Sequence, residues 1–230
     1  MAGSPTYLDF LTSLDLLEGI RNESLFALAN SARLVSVRKG SYLFYQSDPA
    51  SSFYIVYSGE LMVILASSDG REIIISEMQT GECFGEVSLL STGLRTAGAQ
   101  AKLDSEVLEF PSSVLFQVLE SEQQLARRML AIASQRLSNA QQRESALAFM
   151  DASNRVARIL LKLDEADRTG PDRGFVTISQ EEIAQRAGLT RQTVANSLGR
   201  WRREGWILTG RGRIVILNRE ALKRETEEVP

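Results

Sequence analysis

The sequence contains no histidine, one cysteine, two tryptophans and five prolines in 230 residues. Without an imidazole there is no Ser-His-Asp or Cys-His catalytic arrangement and no histidine metal ligand. A lone thiol allows neither an intramolecular disulfide nor a thiolate-held zinc or iron–sulfur centre within one chain. No apolar run approaches the roughly 20 residues of a membrane-spanning helix. The N-terminus MAGSPTYLDF lacks the basic-then-apolar build of a secretory leader. An intracellular protein is expected, cytoplasmic if the source is a prokaryote, without a histidine- or thiolate-held metal site.

What is present is an ordinary globular composition, 43% hydrophobic and 24% charged. The net charge of −3 conceals an asymmetry. Residues 1–150 carry 11 basic and 17 acidic side chains, and residues 151–230 carry 15 and 12. Between Arg186 and Arg213 seven arginines face a single acid, Glu204. Composition alone leaves two readings, a nucleic-acid-binding patch on an acidic sensing body or a solvated charged helix.

Along the chain, residues 4–32 read as helical, with Pro5 in a first turn and Leu8, Leu11, Leu14, Leu17, Leu25 and Leu28 near helical spacing. From Arg33 to Phe110 short runs such as RLVSV, FYIVY, LMVIL and EIIIS alternate with turn residues, predicting an antiparallel barrel, roll or sandwich. SSDGRE between two apolar runs predicts a hairpin. Gln117 to Met150 lacks glycine and proline and reads as one long helix. Leu130, Ala133, Leu137 and Ala140 form part of a heptad seam suited to a homodimer. A second stripe, Leu125, Met129 and Ile132, suits packing on the strand domain. A helix packed only on its own chain is the alternative. Leu163–Gly174 reads as a loop.

The stretch ISQEEIAQRAGLTRQTVANSLGRWRREGWI predicts a helix-turn-helix. Ser179 and Glu182 make a capping box, Gly188 fits the turn, Thr190 caps the second helix, and Val194, Leu198 and Trp201 give its buried face. Arg191, Gln192 and Asn196 are left to read base edges. Ser179, Gln180, Thr190, Thr193 and Arg200, with Arg211 and Arg213 on a wing hairpin, are candidate phosphate contacts. In GECFGEVSLLSTGLRTAGA, Gly85 lets backbone amides approach an anion. Glu86 can accept a ribose hydroxyl, and Arg95 and Thr96 can donate to a phosphate. A Glu86–Arg95 salt bridge with no ligand is the other reading of the same residues.

Over nearly its whole length the chain resembles the cyclic-AMP receptor protein family of bacterial regulators, within the superfamily that includes the fumarate-nitrate regulators. The residues carrying the resemblance are KG at Lys39–Gly40, SG at Ser58–Gly59, FGE…RTA, the long helix, LAFMD and TRQTV. It implies an α+β protein. A cyclic-nucleotide-binding antiparallel β-roll with N-terminal helices occupies residues 1–120, a dimerisation helix 121–150 and a winged helix-turn-helix 151–230. It implies a non-enzymatic homodimer acting on two-fold-related DNA half-sites, under allosteric control by cyclic AMP held by Gly85, Glu86, Arg95, Thr96, Arg136 and Gln141. The family's base-reading pair falls on Ala140 and Gln141. Ala140 offers no hydrogen bond, so cyclic GMP, cyclic di-GMP, another metabolite or ligand-free activity are the alternatives. By analogy, the loop from Asp164 to Gly174 is a candidate contact for RNA polymerase. Cys83 reads as a small buried hydrophobe.

Overall fold

The computed structural model describes residues 7–91, 93–167 and 175–227. Internal packing divides the chain into two units, residues 1–138 and 139–230. In the first unit the N-terminal leucine repeat is broken into α1 (Leu8–Thr12), a 3-10 turn (Asp15–Leu17) and α2 (Asn22–Ser31). Gly19, at φ +69°, provides the reversal between them. Leu11, Leu14, Leu17, Leu25 and Leu28 are nevertheless all buried. The spacing marked a core face that no single helix carries. The expected role of Pro5 lies outside the described residues.

The strands follow in order: β1 (Arg33–Val37), β2 (Tyr42–Phe44), β3 (Ser52–Ser58), β4 (Glu60–Ala66), β5 (Glu72–Gln79) and β6 (Cys83–Phe84). A short α3 (Glu86–Leu90) precedes β7 (Gly98–Ala101) and β8 (Ser105–Pro111). They form two antiparallel sheets, β1-β8-β3-β6 and β2-β7-β4-β5. The SSDGRE hairpin joins β4 to β5 as expected. Tyr54, Val56, Leu61, Met78, Phe84, Ala99 and Val107 come from both sheets into one apolar cluster.

The long helix is interrupted. α4 (Ser112–Ser121) and α5 (Gln123–Phe149) are separated by Glu122, at φ −123° and ψ 84°. Its carboxylate accepts from Ser24 Oγ at 2.6 Å and Arg21 Nε at 2.9 Å. These contacts, from residues about a hundred positions earlier, draw it out of the helical path. They also hold its carboxyl below its usual value of 4.5. A lowered folded-state pKa stabilises the fold above that value, and the contribution is lost as pH falls below it. Urea midpoints of the wild type should therefore fall between about pH 6 and about pH 3 more steeply than those of Glu122→Gln. Equal slopes would remove Glu122 from the acid response.

On α5 the two stripes separate. Leu125 is buried, and Met129 and Ile132 pack on the same core. Leu130 and Leu137 are 68% and 61% exposed, with Ala126 and Ala133 exposed beside them.

The second unit contains α6 (Ala152–Asp167), β9 (Val176–Thr177), α7 (Gln180–Ala187), α8 (Arg191–Arg203), β10 (Ile207–Gly210), β11 (Arg213–Ile216) and α9 (Arg219–Glu227). Asp151 Oδ1 accepts from Asn154 N at 2.7 Å and starts α6. α6 runs on to Asp167, so the first part of the expected Leu163–Gly174 loop is helix. Residues 168–174 lie outside the described residues. Val156, Leu160, Ile183, Val194, Trp201, Ile207 and Leu222 build the core, under a sheet ordered β10-β11-β9.

Candidate anion pocket and nucleic-acid face

The cassette residues converge between β6 and β7. Gly85 caps α3 in the left-handed region, at φ +83°. Arg95, 3% exposed, donates through Nη1 to the Gly85 carbonyl at 3.1 Å and through Nη2 to the Tyr54 hydroxyl at 3.4 Å. Its guanidinium lies 4.2 Å from the centroid of Phe44 and 5.2 Å from that of Tyr54. Among the described residues no carboxylate forms an ion pair with Arg95, and its buried Nε has no partner. Burial pulls its pKa below the usual arginine value. The cation–π contacts recover part of the cost of burying this charge, and an anion would recover more.

Glu86 does not pair with Arg95. Its Oε1 accepts from Arg136 Nη1 at 2.5 Å, and Arg136 Nη2 donates to the Cys83 carbonyl at 2.6 Å. Arg136 sits on α5, so the long helix reaches the cassette through one guanidinium. Glu86 is 5% exposed, and its Oε2 is buried without a partner. Burial pushes its carboxyl above the usual range, against the pull of Arg136. Cys83 is 3% exposed, as its neighbours suggested. Thr96 is exposed, and its amide donates to Ser88 Oγ at 3.2 Å. Gln141 is exposed and Ala140 half-buried; both belong to the second unit. Phe44 and Tyr54 were not singled out in the sequence. The short aromatic-rich runs that contain them, residues 42–45 and 53–57, read only as strand.

A Cβ on Gly85 would stand 2.7 Å from Arg95 Nη1 and 3.3 Å from the Tyr54 ring. Gly85→Ala therefore combines a left-handed backbone with displacement of the arginine. A loss of about 1–3 kcal/mol in unfolding free energy is expected, checked by urea denaturation.

In the second unit, Ser179 Oγ accepts from Glu182 N at 3.0 Å and caps α7. Glu182 turns its carboxylate to Arg186 at 2.8 Å, so only half of the capping box forms. Gly188, at φ +62°, ends α7. Thr190 Oγ1 accepts from Thr193 N at 3.2 Å to start α8, and the two threonine hydroxyls lie 2.8 Å apart. Val194, Leu198 and Trp201 are buried beneath it. Arg191, Gln192 and Asn196 are exposed, with Gln192 Nε2 donating to Asn196 Oδ1 at 3.0 Å. Ser179, Gln180, Arg191 and Arg211 line one groove of about 310 Å³ between α7, α8 and the β10–β11 turn. Arg213 lies 4.6 Å over the Phe175 ring. Arg200 is engaged differently from the expected phosphate contact: it pairs with Glu225 of α9, a helix the sequence reading did not anticipate.

Two sheets around a buried cation, followed by a helix-turn-helix and wing with an arginine-lined groove, define a ligand-responsive DNA-binding regulator. Residues 34–122 match the cyclic nucleotide-binding domain, and residues 154–225 match the Crp-like helix-turn-helix domain. A CRP-like cAMP-activated global transcriptional regulator of Mycobacterium tuberculosis is 27% identical over 221 residues, covering 94% of this chain and 98% of the relative. The cyclic AMP receptor protein of Thermus thermophilus is 33% identical over 178 residues, covering 77% and 81%. In structure, the c-di-GMP responsive global regulator CLP of Xanthomonas campestris shares the fold at TM-score 0.74 and 22% identity, over 85% of this chain and 99% of that one. The chain belongs to the CRP/FNR family of transcription regulators. Regulators of this family bind DNA and act as dimers. No helix among the described residues is long and apolar enough to cross a membrane.

Proposed function

We propose that the chain is a cytoplasmic, homodimeric transcription regulator whose effector is cyclic AMP. The observation that carries this reading is Arg95, a buried cation that forms no ion pair with a carboxylate among the described residues, together with a buried Glu86 oxygen that has no hydrogen-bond partner. One cyclic nucleotide supplies what both need: an anionic phosphate for Arg95, with Gly85 and Thr96 beside it, and a ribose hydroxyl for Glu86 Oε2. Arg136 lines the same ligand from the long helix, through the guanidinium that holds Glu86. Leu130, Ala133, Leu137 and Ala140 form the seam between two copies. The effector acts through its different affinities for two arrangements of the DNA-binding units. Calorimetric titration of nucleotide-free protein with cyclic AMP, cyclic GMP and cyclic di-GMP tests this directly. Saturable binding of cyclic AMP, one per chain, supports it. Preference for another nucleotide replaces the effector, a reading favoured by the methyl side chain of Ala140, which can hydrogen-bond no base. No binding of any of them removes the effector assignment.

On DNA, Arg191, Gln192 and Asn196 meet base edges of each half-site. Ser179, Gln180, Thr190, Thr193, Arg211 and Arg213 meet phosphates, and Arg200 holds α8 through Glu225. These roles separate by salt. Arg191→Ala should cost about 1–3 kcal/mol and relax discrimination at one base pair. Arg211→Ala should weaken all sequences alike and reduce the slope of log affinity against log salt by about one per chain. Gel-shift titrations over a salt series read both.

A further inference from the structure

The rings and hydrogen bonds around Arg95 assign a role to a residue outside the cassette. Phe44 belongs to β2 in one sheet and Tyr54 to β3 in the other. With Phe84 they form a stacked cluster, Phe44–Tyr54 at 5.5 Å and Tyr54–Phe84 at 5.4 Å between centroids. The guanidinium rests against the first two rings, which sets its plane but not its rotation within that plane. Rotation is set by two hydrogen bonds, one from Nη1 to the Gly85 carbonyl at 3.1 Å and one from Nη2 to the Tyr54 hydroxyl at 3.4 Å. The first ends on backbone; the second ends on a side chain, and that hydroxyl donates in turn to Glu109 Oε1 at 3.2 Å. The direction is not reversible, since a carboxylate only accepts and a guanidinium only donates. Glu109 is fixed in turn by Arg33 on β1, whose Nε lies 2.8 Å from Oε2. A chain of four side chains therefore runs from the exposed edge strand to the buried cation. A phenylalanine at position 54 would fill the same space without burying a hydroxyl. Tyr54 is 6% exposed, so its oxygen carries a desolvation cost that packing alone does not require.

We propose that Tyr54 is the positioning residue for Arg95, its hydroxyl turning the guanidinium so that Nε and the remaining Nη hydrogens face a phosphate. The role in affinity rests on the cyclic-nucleotide reading above; the geometric role does not. Phosphate recognition by arginine depends on the angle of its planar fork, so a rotated guanidinium keeps its charge and loses the paired hydrogen bonds.

Tyr54→Phe is the test, because it removes the hydroxyl and leaves the ring stack. Cyclic AMP affinity should fall about tenfold, the scale of one hydrogen bond to a charged group. In an Arg95→Lys background the same change should cause no further loss, since a point charge has no plane to set. A second readout needs no ligand. In nucleotide-free protein, the Arg95 side-chain N–H resonance in a nitrogen-15 correlation spectrum should be sharp in the wild type and shifted or broadened in Tyr54→Phe. An unchanged resonance overturns the proposal. So does an unchanged affinity in a protein whose wild type binds cyclic AMP, or an equal loss in the Arg95→Lys background. If the wild type binds no cyclic nucleotide and the resonance still responds, the effector assignment fails and the positioning of Arg95 stands.

Discussion

Replacing Arg95 by methionine is expected to raise the thermal stability of the ligand-free protein while abolishing its response to cyclic nucleotide. Removal of a buried charge that no direct ion pair offsets relieves the fold of a desolvation cost, the largest influence on this group, against the weaker pull of Glu109 and Asp48. A flexible thioether of similar reach keeps the contacts with Phe44 and Tyr54. A gain of about 1 kcal/mol or more is expected in scanning calorimetry. The bound state loses a charge-assisted fork on the phosphate. Truncating one partner of such a buried pair costs about 2–5 kcal/mol, or a fall in affinity of about 30- to 5,000-fold. The opposite signs are the diagnostic. A structural arginine would lose stability on replacement, and an idle one would change neither quantity. Loss of stability together with unchanged nucleotide affinity would exclude Arg95 as the anion site.

Leu137→Glu carries the second large effect. Leu137 is 61% exposed in the single chain, so a glutamate there leaves the core of either unit untouched. In a two-fold interface the same patch meets itself, and one substitution acts twice. Two leucines lose their burial, and two carboxylates of like charge are brought towards the seam. The dimer dissociation constant should rise by about 100-fold or more. Sedimentation velocity reads this as a monomer at micromolar concentration with an unchanged circular dichroism spectrum. On the proposed two-fold operator, DNA binding should weaken by a comparable factor, because two linked half-site contacts would become two independent ones. A variant that remains dimeric would place the interface elsewhere and leave the exposed leucines of α5 unexplained.

The order of elements was legible in the sequence because its punctuation is local. SSDGRE marks its own hairpin, Gly188 its own turn, and Thr190 its own cap. The two stripes of α5 were legible for a similar reason: helical spacing separates Leu125, Met129 and Ile132 from Leu130 and Leu137 without reference to the rest of the chain. What was missed depends on distant partners. Glutamate is a good helix former, so nothing near Glu122 announces a break. The cause is Ser24 and Arg21. The helix α9 was not read, although Asn218 accepts from the Ala221 amide and Leu222 is fully buried. Without α9 there was no Glu225 to claim Arg200.

The cassette shows the same limit. Gly85, Glu86 and Arg95 do gather in one place, but the alternative reading of a Glu86–Arg95 pair does not hold. A spacing of nine between Glu86 and Arg95 suggests that they meet, whereas the carboxylate pairs with Arg136, fifty positions later, and the arginine settles on two aromatic rings. Ring-to-cation geometry leaves no mark in hydropathy, so Phe44 and Tyr54 looked like ordinary strand residues.

The buried sulfur of Cys83 has a practical consequence. Burial pushes its thiol up to about 12. At neutral pH the thiol stays protonated, and the thiolate is the form that reacts. The native chain is therefore close to inert towards alkylating reagents and mild oxidants. A cysteine introduced on its surface, at an exposed position away from the proposed seam such as Ser68, would carry essentially all the thiol reactivity of the molecule. The wild-type sequence is thus already a suitable background for site-directed cross-linking, spin labelling or fluorescent reporting, with no cysteine to remove first.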